Sequence, residues 1–245
     1  SLASFELSAN KNQYLSIDSK VLIPLDVVVG LTKPPYVIQQ TDSGFELELV
    51  RQVFAQFGHE PRFIYVPLGR SIKLLDQGMG DALLTVNSNI VPNDDIRTKP
   101  YITYQNVAVS LKSKGISINS FDDLANYKIA AFQLAHKYLG NEFQQVVAKN
   151  NHYVELPNQF QQIKMLLEGR VDSVIMDINI FTFMFKSAGS ELNFDDIVIH
   201  EIFPENKYSV AFKEKGMVAA FNRELDAYLG TEHYASLLKK YQIKN

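Results

Sequence analysis

One unit occurs twice in this chain, and it constrains the fold more than any other feature. "IKLLDQGMGDALLTV" begins at Ile72 and "IKMLLEGRVDSVIMD" at Ile163; Ile72, Lys73, Gly78 and Asp81 align with Ile163, Lys164, Gly169 and Asp172 without a gap. Each copy reads as a helix stopped at a glycine, a short turn, an aspartate and a buried strand. A chain that makes the same helix–strand junction twice is expected to build two similar α/β halves.

The flanking elements repeat as well. "LDVVVGL" reads as a buried strand, and Pro34 and Pro35 make "TKPPYVIQQTDSG" a loop. From Phe45 the pattern turns helical: Phe45, Leu49 and Val53 share a face with Val50, Phe54 and Phe57, and Gly58 supplies the stop. "RFIYV" is a strand, residues 70–77 a helix and "DALLTV" a strand. The order then recurs. "SFDDLANYKIAAF" holds a turn capped by Ser120 with Asp123, followed by a strand; residues 136–149 read as one helix; "HYVEL" is a strand; Asn158 caps a helix that stops at Gly169; and "VDSVIM" is a strand. Strand–helix–strand–helix–strand, twice over, calls for parallel sheets with crossover helices. Residues 1–20 show no period and read as a loosely attached arm.

Composition removes several classes of function. The net charge is -3, with acids and bases mixed along 245 residues, so no basic block points to nucleic acid or an anionic membrane. Without cysteine there is no disulfide, thiolate metal site or cysteine nucleophile, which is compatible with an exported protein. No apolar run approaches the roughly 20 residues needed to span a bilayer. No signal peptide is visible, so the chain is either a cytosolic protein or a mature form with its signal removed. The histidines at 59, 136, 152, 200 and 233 lack metal-ligand spacing, and no phosphate loop or serine elbow occurs. No metal, cofactor or catalytic residue is therefore expected.

The ends of the repeated strands are where function should sit, because open parallel sheets bind ligands at the carboxyl ends of their strands. Thr85 lies at the end of the first copy with Asn87 and Ser88 following it, and Asp177 ends the second. An aspartate after "VIM" is costly in an apolar setting unless it has a partner. It can cap the helix "INIFTFMFK" and still hold a ligand cation with its other oxygen.

Several stretches, in this order and spacing, are similar to the family-3 extracellular solute-binding proteins, the polar-amino-acid-binding class that serves ABC importers. They are "VVVGLTKPPYVI", "SGFELELVRQVFAQFG", "LLDQGMGDALL", "KPYITYQNVAVSLKS", "SFDDLANYKIAAF", "LLEGRVDSVIMD", "YSVAFKEK" and "YASLLKKYQ", spread over residues 25–242. The resemblance implies a type II periplasmic-binding-protein fold. Two Rossmann-like lobes with mixed, mostly parallel sheets would be joined by a two-segment hinge. Lobe one would be residues 1–104 and 208–245, and lobe two, inserted, residues 105–207. The crossings would lie near residues 103–106 and 206–209.

Carried over by position, Tyr36 would be the aromatic wall over the ligand, Thr85 and Ser88 would offer hydroxyl and backbone groups, and Asp177 would hold an α-ammonium. Two departures stand out. Where the family has "TPER" this chain reads "NIVPNDDIRTKPY", so the carboxylate-gripping arginine falls on Asn93 or Asp94. Where the family has Gly-Thr-Thr or Gly-Thr-Ser, it reads "FQLAHKYLG". Arg70, and after it Arg97, are the replacement candidates for the carboxylate grip. Gln133 and His136, at the start of the lobe-two helix, complete the expected contacts with Asn87.

The resulting expectation is a monomeric periplasmic receptor that captures a small polar, amine-bearing solute for an ABC permease in the inner membrane. A ligand-sensing receptor domain is the second reading; the absence of a membrane segment after the last helix favours the first. A cyclohexadienyl-dehydratase-like enzyme is the third, with His136 and Asp177 its only evident acid–base groups.

Overall fold

The computed structural model describes residues 21–243; the arm read over residues 1–20 lies outside them. The first half holds β1 (Ile23–Val29), α1 (Phe45–Gln56), β2 (His59–Tyr65), α2 (Leu68–Asp76) and β3 (Ala82–Val86). Then come β4 (Ile102–Leu111), β5 (Ile129–Phe132), α3 (Ala135–Tyr138), α4 (Asn141–Ala148), β6 (Tyr153–Leu156), α5 (Gln159–Leu167), β7 (Ser173–Asp177) and α6 (Ile178–Ser187). The chain closes with β8 (Ile197–His200), β9 (Glu205–Phe212), α7 (Gly216–Leu229) and α8 (Glu232–Lys240).

The two expected parallel sets form. β1 pairs in parallel with β2 and β3, and β5 pairs in parallel with β6 and β7. Each set gains an antiparallel strand, β9 beside β3 and β4 beside β7. β4 and β9 pair with each other from Ile102↔Tyr208 to Gln105↔Glu205. The hydrogen-bonded path is thus β2-β1-β3-β9-β4-β7-β5-β6, with β8 on β4. All residues of β3, β5 and β7 are buried, as apolar strands under crossover helices must be. Among the described residues no helix is long and apolar enough to cross a membrane.

The doubled unit is a doubled structure. Gly78 and Gly169 both sit at φ 71°. In each copy the glycine N–H reaches back to a helical carbonyl (Leu75 or Leu166), and the next N–H reaches one further back (Leu74 or Met165). This pair of bonds is the Schellman ending, which needs a left-handed residue and so favours glycine. The aspartates repeat too. Asp81 Oδ2 accepts from Asp26 N at 2.8 Å, and Asp172 Oδ2 accepts from Lys128 N at 2.8 Å. Each aspartate therefore staples the start of its own strand to the neighbouring strand, Asp81 to the middle of β1 and Asp172 to the residue before β5.

Two local expectations are corrected. Residues 136–149 are not one helix: α3 ends after one turn, and Gly140, at φ 89°, starts α4. Ser120 makes no capping bond; Asp123 Oδ2 instead accepts from Asn119 N at 2.8 Å.

Of all the helix starts, that of α1 does most to shape the region between the halves. It has no side-chain cap. Its first N–H groups are satisfied by the proline loop instead, Phe45 N to Pro35 O and Glu46 N to Tyr36 O, both 3.0 Å. Gly44 makes this possible: it lies at φ 120°, and a Cβ there would run into the Tyr36 carbonyl. Gly44→Ala is expected to cost more than ~2 kcal/mol in urea unfolding, from backbone strain and the clash together. Gly115→Ala is the control, since Gly115 is left-handed but meets nothing within 4 Å. It should cost only about 1 kcal/mol.

Candidate functional site

Where the two halves meet, the proline loop, the start of α1 and the ends of β3, β4 and β7 converge on a buried cluster of charges. Glu46 is fully buried. Its Oε1 accepts from the hydroxyls of Thr85 and Tyr101, and its Oε2 from that of Tyr104 at 2.7 Å. Lys33 Nζ lies 3.8 Å from Glu46 Oε2, donates to Thr85 Oγ1 at 3.2 Å and stands 5.0 Å from the centroid of the Tyr104 ring. Burial pulls the Lys33 ammonium below the usual lysine range, while Glu46 and Asp177 pull it back up.

Thr85 reaches Glu46 because β3 is irregular there. The register with β9 shifts between Leu83 and Val86, and Thr85 takes φ 57°, unusual for a β-branched residue. This turns its N–H to Tyr101 Oη at 2.9 Å and its carbonyl to the Tyr138 hydroxyl at 3.0 Å.

Asp177 ends β7 and caps α6. Its Oδ1 accepts from Asn179 N and Ile180 N, both at 2.9 Å, and its Oδ2 from Gln105 N at 3.0 Å. Burial nevertheless dominates and pushes the carboxyl up to about 6. A cavity of about 30 Å³ lies among these groups, lined by Lys33, Thr85, Tyr104, Asn106, Tyr138 and Asp177 and closed by Leu68, Phe132, Gln159, Ile180 and Tyr208.

The residues singled out in the sequence separate into three groups. Thr85 and Asp177 line the cavity. Tyr36, Asn87 and Gln133 join the halves. Tyr36 is fully buried, stacked on Tyr104 with centroids 4.3 Å apart, and accepts from Asn179 Nδ2 at 3.0 Å. Asn87 Nδ2 donates to Tyr138 O at 3.1 Å, and Gln133 Oε1 accepts from Gly69 N at 3.2 Å. The remaining four lie away from the cavity. Ser88 and Arg70 are exposed. Arg97 is tied to Val91 O and Asp94. His136 Nδ1 lies 2.9 Å from Glu155, which also accepts from Leu134 N, His136 N and the Tyr153 hydroxyl.

Lys33, Glu46 and the tyrosines at 101, 104, 138 and 208 were not singled out. Glu46 carried a usable signal. It stands three and four residues before Leu49 and Val50, on the apolar face of α1, where a charged residue requires a partner. Lys33 carried none, because a lysine in a proline loop is ordinarily solvated.

The raised Asp177 carboxyl gives a signed pH prediction. Between about pH 4 and pH 6 the folded protein binds this proton and the unfolded chain does not, so stability falls as pH rises through that window. Asp177→Asn keeps the Oδ1 caps and removes the titration. Subtracting its urea-unfolding profile from the wild type should show the wild type gaining up to about 3 kcal/mol as pH drops from 7 to 4. A difference of opposite sign would mean that the cap bonds outweigh burial.

No protein-family model matches the chain, and no curated protein matches it. Solved structures do. An ancestral arginine-binding protein bound to arginine is similar at TM-score 0.74 and 20% identity, over 90% of this chain and 99% of that one. A histidine kinase sensor domain with similarity to periplasmic binding proteins gives TM-score 0.75 at 17% identity, over 90% and 96%. The substrate-binding protein of an ABC uptake transporter from Streptococcus pneumoniae, with bound histidine, gives 0.71 at 14%, over 89% and 92%. The paired parallel sets, the β4–β9 crossing and these near full-length matches agree: this chain has the type II periplasmic-binding-protein fold.

Proposed function

We propose that the chain is a solute-binding module that holds a small polar solute between its two halves. The observation that carries this reading is the position of the polar cavity. It lies at the seam, with Lys33, Thr85 and Tyr104 on one side and Phe132, Gln159, Asp177 and Ile180 on the other. It also lies at the carboxyl ends of β3 and β7, where such sheets bind ligands. The bound arginine and histidine of two similar structures support an amino acid or a derivative as the solute class. In this reading residues 1–104 with 208–245 form one lobe and residues 105–207 the other. The β4–β9 pair is then the hinge, and the Tyr36–Asn179, Asn87–Tyr138 and Gln133–Gly69 contacts are the closing seam.

The corresponding physiological role is that of a receptor outside the cytoplasmic membrane that delivers its solute to an ABC permease. Similarity to a substrate-binding protein of such a transporter supports it. A sensor role is the second reading, supported by the similarity to a kinase sensor domain. The full-length gene and its neighbours discriminate the two. An elimination reaction would need an acid–base group with an unoccupied face in the cavity. His136 is engaged with Glu155 outside it, and Asp177 is engaged with backbone N–H groups. Turnover of prephenate or arogenate would revive that reading.

A thermal-shift screen over amino acids, amines, carboxylates and small aromatics tests solute binding. A ligand at a hundred times its Kd should add about 2.7 kcal/mol of stability. Small-angle scattering with the best hit should show a smaller radius of gyration on saturation, as hinge closure requires. An unchanged radius counts against closure, and no hit at all counts against solute binding.

A further inference from the structure

The hydrogen-bond capacity around the cavity is unevenly used, and the imbalance indicates what the cavity takes. Its carboxylates are nearly saturated. Asp177 accepts from three backbone N–H groups. Glu46 accepts from three hydroxyls and faces Lys33. Two carboxylate oxygens offer about four acceptor positions, so a new donor arriving here finds little to bond.

The donors are not saturated. The Lys33 side chain is 6% exposed, yet among the described residues only Thr85 Oγ1 accepts from its ammonium. An ammonium has three donors; Glu46 Oε2 at 3.8 Å and the Tyr104 ring at 5.0 Å face the charge without accepting a hydrogen bond, so donor capacity remains at the cavity wall. Asn106 is 1% exposed; its Nδ2 lies against the Tyr208 hydroxyl without hydrogen-bond geometry and has no acceptor among the described residues. Among the fully buried side-chain atoms of the described residues, the acceptor on the wall without a partner is Gln159 Oε1, a neutral amide oxygen. Buried donors without acceptors are costly, and more so when they carry charge.

Size agrees with this bias. A cavity of about 30 Å³ holds roughly two waters, at 10–15 Å³ of such volume each. Two oxygens are what a carboxylate presents. The arginines expected to supply the grip are elsewhere, Arg70 exposed and Arg97 tied to Val91 O and Asp94.

We propose that Lys33 Nζ, with Asn106 Nδ2, is the carboxylate grip of the cleft, and that the solute enters this cavity by its acid end. This deepens the solute-binding reading and rests on it. It reverses the expectation that a ligand amine on Asp177 is the main polar anchor.

Acetate is the probe, with methylammonium as the opposite charge, both at ionic strength fixed with NaCl. Acetate should raise the wild-type Tm along a saturating curve, and methylammonium should not. Lys33→Met keeps the chain length, removes the ammonium and should weaken acetate at least tenfold; Arg70→Ala should leave it unchanged. Stabilisation by methylammonium alone, or an equal acetate response in wild type and Lys33→Met, overturns the proposal. Should Lys33→Met fail to fold, the wild-type protein labelled at lysine decides. Saturating acetate must shift the Lys33 side-chain resonances, and a Lys33 signal that ignores it overturns the grip. An amino-acid series separates the two levels of the argument. Amino acids that bind wild type and Lys33→Met alike remove Lys33 as the grip and leave solute binding standing. No binding by acetate or any amino acid removes both.

Discussion

The structure is organised around one constraint, the burial of the Glu46 carboxylate. An ion of that size costs several kcal/mol to take out of water unless donors replace the water. Three segments supply them: the proline loop through Lys33, the β3 bulge through Thr85, and the start of β4 through Tyr101 and Tyr104. The first two are irregular where they do so, and the third does so as its strand begins. The loop carries two prolines, Thr85 sits at φ 57°, and Tyr101 lies just before β4 begins at Ile102. The carboxylate and its donors hold one another in place, so removing one member would leave others buried and unpaired. Glu46 itself is positioned by Gly44, which lets the loop carbonyls cap α1 in place of a side chain.

The doubled unit shows why some of this was legible in advance. Gly78 and Gly169 are fixed by backbone geometry, and Asp81 and Asp172 by backbone N–H groups of the neighbouring strand. Constraints of that kind act over a few residues or between adjacent strands, so they leave a repeat in the sequence. The copies diverge one turn later because their surroundings differ. The first runs into Thr85, which must turn toward Glu46. The second runs into Asp177, which must cap α6 and hold Gln105 N on β4. Parallel strands, crossover helices and the cavity-facing positions of Thr85 and Asp177 follow from that level of reading.

What the sequence concealed depends on the reach and direction of side chains. Arg70 looked cleft-facing because it follows a strand, yet α2 already begins at Leu68 and Arg70 projects to solvent from its first turn. His136 looked available because it stands at the start of a lobe-two helix, but Glu155, from β6, accepts from that helix's first N–H groups and binds the ring as well. The cation at the cavity wall is instead Lys33, whose long stem carries charge from an unremarkable loop into the seam. Only a structure places that ammonium, because nothing local in "TKPPY" sets its direction.

The closing seam adds a limit on what a solute must supply. Tyr36–Asn179, Tyr138–Thr85, Asn87–Tyr138 and Gln133–Gly69 are hydrogen bonds between uncharged groups. Each contributes on the order of 1 kcal/mol net, because opening exchanges it for a bond to water. In the proposed solute-binding reading these bonds contribute only a few kcal/mol, which leaves open and closed arrangements within reach of each other. A ligand shifts such an equilibrium only by the difference in its affinity for the two states. A contact formed equally well in both contributes nothing to closure. A group that satisfies Lys33 from one side of the cavity while touching Gln159 and Ile180 on the other does so only when the halves are together. In the proposed reading, the donors at the seam would thus do two things at once: bias which end of a solute enters, and make its binding depend on closure.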